Sequence, residues 1–286
     1  FGDRVCRRGF EGSDIVWGFN GASLEIFQHA RRQGIKCILE QAIAPRSIEL
    51  KFLSEEAMNW SGWQRSDEGS SFSASDPLSQ REEAEWDLAD TIVCGSDFVA
   101  DGLRKRNVPA EKLRVVPYGV NTSYFRAASS QSSEGTLNVL FVGEIGLRKG
   151  IPYLLEALRT LNRPQSIRAK LVGSMNLSLE RLREYGEWCA ALDPVPRLKM
   201  GELYRWADVL VLPSLCEGSA TATYEAMACG LPIITTPNSG SLVRDGVEGF
   251  VVPIRDSLAL QEKIALLADN ESLRRSMARA ARERAR

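Results

Sequence analysis

The sequence has little of what metal and nucleic-acid sites are built from. It contains one histidine, His29, and six cysteines, none of which forms a CxxC pair. This pattern disfavours a zinc site and predicts reduced thiols in a cytoplasmic setting. The 36 lysines and arginines nearly balance the 37 aspartates and glutamates, so composition gives no general electrostatic case for nucleic acid.

Long apolar runs are also missing. No stretch approaches the ~20 apolar residues that a membrane-spanning helix needs, and the sequence does not start with a signal-peptide pattern. The last residues, 256–286, are helical in pattern and increasingly basic, which predicts a solvated surface and leaves peripheral contact with acidic lipid as an alternative. We expect a soluble, cytoplasmic protein without a transmembrane segment.

The 286 residues are enough for two domains of ordinary size. Apolar runs alternate with amphipathic stretches in both halves, the rhythm of β-α-β units. The serine-rich tract 127–136 has the composition of a linker, so we predict one domain at 1–127 and another at 136–286.

Some local predictions concern particular segments. Residues 177–192 predict one helix, and the serine- and glycine-rich stretch 60–80 predicts a mobile loop. Beside that loop, Trp60 and Trp63 favour packing within the protein, with stacking on a sugar as the alternative.

The segment EGSATATYEAMACGLPII, residues 217–234, places two glutamates eight positions apart between two apolar runs. The runs predict buried strands, and the stretch between them predicts a helix that ends at Gly230. Glu217 then lies in the turn after a strand and Glu225 lies on the helix. In an open parallel sheet this edge is where ligands bind.

The residue types in this turn fit a nucleotide sugar. The amides around Ser219, Ala220 and Thr221, at the start of a helix, suit a phosphate. Carboxylates cannot hold phosphate, but they accept hydrogen bonds from sugar hydroxyls. A nucleotide sugar has a ribose on one side of its phosphates and a hexose on the other.

Five segments follow one another in a fixed order: VVPYGVN, FVGEIGLRKG, ADVLVLPSLCEG, EAMACGLPIITTPNSG and VRDGVEGFVVP. In this order they resemble the GT-B glycosyltransferases of family four (glycosyl transferases group 1), retaining enzymes that use nucleotide-sugar donors. The match covers roughly residues 80–284, and residues 14–41 resemble the latter part of that family's first domain. The resemblance implies an α/β fold of two facing Rossmann-like domains with parallel sheets, the second holding the donor.

The resemblance also implies roles for residues in the loop after the strand at 137–143. Arg148 and Lys149 match the basic pair that meets the donor diphosphate, and two cations there would stabilise the leaving group. Gly143 matches the glycine that lets the backbone approach the donor, with a simple turn glycine as the alternative.

For the two glutamates the resemblance implies separate tasks. Glu225 matches the residue that accepts from the ribose hydroxyls, and Glu217 matches the one near the transferred sugar. Backbone amides of Gly218, Ser219, Ala220 and Thr221 would meet sugar and phosphate oxygens. No metal and no cofactor beyond the donor substrate is then required, because the cations and the helix amides supply the positive potential.

The sequence departs from the family pattern at three places. EGSA stands where EGFG is usual, so the donor sugar does not follow from the resemblance. Between Trp188 and Trp206 a clear strand is missing from a region that often contacts the base. The chain also begins without the family's first strands and their glycine-rich loop, from which we expect a fragment with an incomplete first domain. The acceptor, a glycan, a lipid or a small molecule, stays open.

Three other functions are alternatives to sugar transfer. A glycosidase acid/base pair is disfavoured because Glu225 is expected to face a ribose. A nicotinamide oxidoreductase is disfavoured because GEIGLRKG is not GxGxxG. A non-catalytic nucleotide-sugar-binding protein remains the alternative to be tested.

Overall fold

The computed structural model describes residues 2–64, 76–126 and 135–286. The described residues form two compact units. The first comprises those within Phe1–Phe52, Ser71–Pro117 and Cys216–Ser219, and the second those within Leu53–Ser70, Tyr118–Leu215 and Ala220–Arg286. Most of the predicted linker lies outside the described residues, so the domain boundary that it marks stays a prediction.

The strands of the described chain are β1 (Ile15–Phe19), β2 (Lys36–Gln41), β3 (Thr91–Cys94), β4 (Leu113–Val115), β5 (Leu137–Val142), β6 (Ile167–Val172), β7 (Cys189–Leu192), β8 (Val209–Leu212), β9 (Ile233–Thr235) and β10 (Gly249–Val251). The helices are α1 (Gly2–Arg8), α2 (Leu24–Arg32), α3 (Arg46–Asn59), α4 (Pro77–Leu88), α5 (Asp97–Arg104), α6 (Ile151–Leu161), α7 (Leu179–Arg183), α8 (Met200–Trp206), α9 (Thr221–Ala228), α10 (Ser257–Asp269) and α11 (Glu271–Arg284).

The first unit contains a four-stranded sheet with the order β1-β2-β3-β4, in which all neighbours are parallel. Alternate residues of β2, namely Cys37, Leu39 and Gln41, are buried, the period of two that a strand imposes. Helix α2 covers this face with Ile26, Phe27 and Ala30, which are spaced on one side of the helix.

Two buried carboxylates of α4 hold the loops at the carboxyl ends of β1 and β2. Glu85 accepts hydrogen bonds from the amides of Gly21, Ser23 and Leu24, at 2.6–3.0 Å, and so stabilises the start of α2. Glu82 accepts from the Asn20 side chain after β1, and from the Gln41 side chain and the Arg46 amide around the loop after β2. Glu82 thereby holds the loop after β2, whose Ala42 carbonyl lies next to Gly218.

The second unit contains a six-stranded parallel sheet with the order β10-β9-β8-β5-β6-β7. Its central strands are buried along their length, as expected where helices cover both faces of a parallel sheet. Helix α10 packs against α6, and α11 packs against α9. The predicted α/β class with parallel sheets in both halves is confirmed.

The helix predicted over 177–192 is wrong. Helix α7 ends at Arg183, and after a turn the chain forms β7, which pairs in parallel with β6. The short side chains of β7 are compatible with a helix, but the exposed edge of β6 offers a row of backbone partners. The strand that was missing from the pattern after Trp188 is therefore present, at Cys189–Leu192.

Two further expectations change. Part of the loop predicted at 60–80 lies outside the described residues, but its last residues belong to α4, which starts at Pro77 with Asp76 as its N-cap. The basic tail forms two helices, because Asn270 accepts a hydrogen bond from Leu273 N and begins α11 anew.

The basic tail and the two tryptophans make contacts within the second unit. The Arg282 guanidinium donates to the carbonyls of Phe125 and Ala228, so part of the basic face is committed to the protein. Trp60 packs edge-on against Tyr153, and Trp63 packs against Tyr185, which supports packing over sugar stacking. Among the described residues, no helix has the length and apolar character that crossing a membrane requires.

Candidate functional site

The loop after β5 carries the predicted cations of the second unit. It runs from Gly143 to Gly150 and includes a short 3₁₀ turn at Leu147–Lys149. Gly150 closes that turn with φ at +67° and acts as the N-cap of α6. The Arg148 carbonyl accepts a hydrogen bond from Leu215 N at 2.9 Å, which ties this loop to the one after β8.

Gly143 and Lys149 lie next to each other. Gly143 has φ at +145°, a conformation that L-residues rarely adopt. A Cβ atom at Gly143 would lie 3.6 Å from the Lys149 Nζ, so the lysine extends back across the glycine at the end of β5. The structure therefore brings together two residues that the sequence assigned to one ligand.

Strands β5 and β8 are parallel neighbours in the sheet. Helix α9 follows β8 and therefore begins at the same edge as the loop after β5. Its N-cap is Ala220, which has no side-chain acceptor for the first amides of the helix. The Ala220 amide itself donates to the Ser239 carbonyl at 3.1 Å. The expectation that this amide meets a ligand stays a prediction, and it requires this hydrogen bond to open. Thr221, which is exposed, begins the first turn.

Glu225 lies one turn further along α9 and is buried, with 8% of its surface exposed. Its Oε2 accepts a hydrogen bond from the Tyr204 hydroxyl at 2.8 Å. Its Oε1 lies 3.1 Å from an Nη atom of Arg197. The predicted position of Glu225 on the helix is confirmed, and its carboxylate has two defined partners.

The surroundings of Glu225 shift its protonation. Burial raises the pKa of Glu225 above its ordinary value, while the Tyr204 hydrogen bond and the Arg197 charge act in the opposite direction. Burial and the adjacent carboxylate raise the pKa of Tyr204 well above its ordinary value, so the phenol stays a hydrogen-bond donor.

The other glutamate lies in the four-residue segment that belongs to the first unit. Glu217 is 7% exposed, and its backbone carbonyl accepts from Ala44 N at 3.3 Å. The next carbonyl, of Gly218, accepts from the Ser96 hydroxyl. A Cβ at Gly218 would lie 1.8 Å from the Ala42 carbonyl oxygen, so only glycine fits without movement of the backbone. Ser219 is buried and packs against Gly95.

Sequence reasoning missed several contacts that residues of these segments make within each unit. Tyr204 and Arg197 precede Glu225 by 21 and 28 positions, and no spacing links them to it. Ser239 takes up the Ala220 amide, and Ala42 sets the space at Gly218. The sequence indicates only that Tyr204 lies on an amphipathic stretch just before the buried strand β8, and it does not indicate which residue Tyr204 contacts.

Cations and a buried carboxylate thus follow two adjacent parallel strands, at the edge where open α/β sheets place their ligand sites. The family model described as "Glycosyl transferases group 1" matches residues 125–284. The chain belongs to this family. The matched region includes the whole six-stranded sheet, with the Lys149 loop and helix α9.

The chain is similar to proteins that are named as glycosyltransferases. It is 29% identical, over 64% of its length and 49% of the relative's, to a D-inositol 3-phosphate glycosyltransferase from Xylanimonas cellulosilytica. It spans about half the length of the curated relatives that it matches.

Solved structures share the fold at low sequence identity. Sucrose-phosphate synthase from Thermosynechococcus elongatus is 22% identical, with a TM-score of 0.77 over 98% of this chain and 70% of that one. Alr3699/HepE from Anabaena, solved in complex with UDP, is 17% identical, with a TM-score of 0.76 over 99% of this chain and 76% of that one. The likeness shows that the chain shares the fold of these two proteins.

The space at Gly218 makes a direct prediction. Gly218→Ala forces the loop away from the Ala42 carbonyl, since the added Cβ would lie 1.8 Å from that oxygen. We expect a loss of about 1–3 kcal/mol in the free energy of unfolding, the usual cost of overpacking. Calorimetric melting measures it.

Gly201→Ala is the matched control. Gly201 lies in helix α8, and a Cβ there would have nothing within 4 Å. This variant is expected to be neutral or more stable by up to about 1 kcal/mol, because alanine favours a helix. A Gly218→Ala protein as stable as Gly201→Ala would contradict the described packing.

Proposed function

We propose that the protein transfers a sugar from a nucleotide-diphosphate sugar to an acceptor, with retention of the anomeric configuration. One observation carries the proposal. The loop with Arg148 and Lys149 and the helix with Glu225 follow two paired parallel strands, and the Leu215–Arg148 hydrogen bond ties their loops together. A diphosphate and a ribose are neighbours in a nucleotide, as these two groups are neighbours at the sheet edge.

The charges of the second unit suit the nucleotide end of such a donor. Arg148 and Lys149 offer cationic donors for the diphosphate, and the first amides of α9 add the positive end of a helix. The buried Glu225 carboxylate accepts from the ribose hydroxyls. The UDP complex of the structurally similar Alr3699/HepE supports a nucleotide as ligand of this fold.

The proposed chemistry uses these groups as the glycosidic bond breaks. Negative charge grows on the departing diphosphate, and Lys149 and Arg148 stabilise it in a site arranged beforehand. The donor phosphate accepts the proton of the attacking acceptor hydroxyl on the face from which the diphosphate leaves, which gives retention. Glu217 meets the transferred sugar. With two cations and helix amides present, we propose that no metal and no cofactor takes part.

A non-catalytic nucleotide-sugar-binding protein would use the same nucleotide contacts. It differs in what Lys149 does, because a binding protein has no use for charge stabilisation in a transition state. The acceptor is proposed as a glycan, a lipid or a small molecule. We propose a cytoplasmic protein, peripheral to the membrane if the acceptor is a lipid.

The two glutamates make the first prediction of this function. Glu225→Ala should weaken the binding of a nucleoside diphosphate by about tenfold or more, because the ribose loses a charged acceptor. Glu217→Ala should leave that affinity nearly unchanged and lower sugar transfer. Titration calorimetry with UDP, GDP and ADP, in the presence of a chelator, measures the affinities.

Each glutamate variant serves as the control of the other. Equal losses of nucleotide affinity in both variants would contradict the assigned roles. Loss of wild-type binding on chelation alone would contradict the proposal that no metal takes part.

Lys149 makes the second prediction. A charge-assisted contact is worth roughly 1.5–3 kcal/mol, so Lys149→Ala should lower kcat by about ten- to a hundredfold. Lys149→Arg should recover part of the loss, because its charge sits in a planar fork and not in a compact ammonium. Steady-state rates of transfer and of donor hydrolysis give the effect on kcat, and a separate titration gives the effect on donor affinity.

The enzyme and the binding protein give different results in this experiment. An alanine variant with unchanged kcat and weaker donor binding would limit Lys149 to ground-state binding. A wild-type protein that binds donor but neither hydrolyses nor transfers it, across glycan, lipid and small-molecule acceptors, would favour the binding protein.

A further inference from the structure

The partners of Glu225 differ in how firmly they are held. Tyr204 is fully buried, and its ring packs edge-on against Phe125 with centroids 5.7 Å apart. Both rings belong to the core cluster of the second unit. Arg197, by contrast, lies on a short 3₁₀ segment with 73% of its side chain exposed.

This difference separates the two oxygens of the carboxylate. Oε2 is committed to a phenol that the core fixes in place. Oε1 contacts the guanidinium of an arginine side chain that is 73% exposed, so this partner can shift beside an incoming ligand without disturbing the core. Oε1 is therefore the atom that ribose hydroxyls would reach, with the Arg197 charge beside it.

We propose that Tyr204 is a positioning residue, whose hydroxyl holds Glu225 so that Oε1 faces the ribose of the bound nucleotide. This inference rests on the proposed function and names a part of the site that the family resemblance did not assign. Without the hydroxyl, the carboxylate of Glu225 loses the fixed partner that sets its orientation. Tyr204 then acts on the nucleotide only through Glu225.

A second cluster in the same unit supplies a matched control. The Tyr185 hydroxyl donates to Glu156, and the Arg159 guanidinium pairs with the same carboxylate. Tyr185 is buried, with 5% exposed, as Tyr204 is. The same three residue types meet there, at a place where no nucleotide contact is proposed.

The experiment compares Tyr204→Phe and Tyr185→Phe with the wild-type chain. The probes are UDP, GDP and ADP and, for the one that binds most tightly, its 2′,3′-dideoxy counterpart. The wild type should prefer the ribonucleotide. Tyr204→Phe should lose about tenfold in affinity for the ribonucleotide and little for the dideoxy form. Tyr185→Phe should keep the wild-type preference.

The pH dependence of binding separates positioning from packing. The Tyr204 hydrogen bond opposes the effect of burial on the pKa of Glu225, so its removal raises that pKa further. Since the ionised carboxylate binds the ribose, affinity should be lost at a higher pH in Tyr204→Phe as the pH falls. Arg197 faces Glu225 in both proteins. The Cys229 thiol, whose own pKa responds to Glu225, Arg205 and Arg282, is also the same in both proteins.

The double variant Tyr204→Phe/Glu225→Ala keeps the test decisive if the single variant does not fold. It removes both partners, so no carboxylate is left buried beside an empty position. If Tyr204 acts through Glu225, the double variant and Glu225→Ala bind the ribonucleotide equally. A further loss in the double variant would overturn the inference.

The remaining outcomes are distinct. A Tyr204→Phe protein that keeps the full preference for the ribonucleotide and the wild-type pH profile would overturn the inference and leave the nucleotide site standing. Equal losses of affinity for the ribonucleotide and the dideoxy form would also overturn it, because they would show that Tyr204 acts only through packing. A wild-type chain that binds none of the three nucleotides would refute the proposed function, and this inference with it.

Discussion

The parallel pairing of β5 with β8 is the constraint on which the candidate site depends. These strands are far apart in sequence, with β6 and β7 between them, but they are neighbours in the sheet. Parallel neighbours end at the same edge, so the loops that follow them are neighbours too. One loop carries Arg148 and Lys149, and the other leads into α9 and Glu225. Positive and negative side chains that are far apart in the sequence thus lie at one edge of the sheet.

Burial of the Glu225 carboxylate determines which ligand groups it can accept. A buried carboxylate is costly to ionise unless it is hydrogen-bonded, and Tyr204 and Arg197 provide that compensation. A ligand that brings two hydroxyl groups adds donors to the same carboxylate. The arrangement therefore favours a sugar ring over an anion at Glu225, while the cations of the neighbouring loop favour an anion. We therefore propose a ligand that carries both groups for this edge.

Much of the fold follows from patterns that are local in sequence. The buried strands β5, β8 and β9 are short apolar runs, and α9 is bounded by Gly230, whose φ of +72° ends the helix as its position predicts. The family resemblance assigned Gly143 and Lys149 to one ligand, and the two residues lie next to each other in the described structure. In each case the residues that determine the feature lie within a few positions of it.

The features that were missed depend on contacts between distant parts of the chain. β7 forms because the edge of β6 is open to it, which its own residues do not indicate. The Ala220 amide is engaged by Ser239, and the carboxylate of Glu225 by Tyr204, through packing that no spacing rule encodes. Periodicity predicts which face of an element is buried, but it does not predict which side chain will meet it there.

The central claim is that the edge formed by the loops after β5 and β8 holds the nucleotide. Hydrogen–deuterium exchange of the chain, with and without the nucleoside diphosphate that binds most tightly of UDP, GDP and ADP, tests it directly, because bound ligand slows the local opening of amides. The account predicts slower exchange at residues 143–151 and 221–226. Binding that leaves both segments unchanged and slows exchange only elsewhere, for example at residues 97–108 of the first unit, would contradict it.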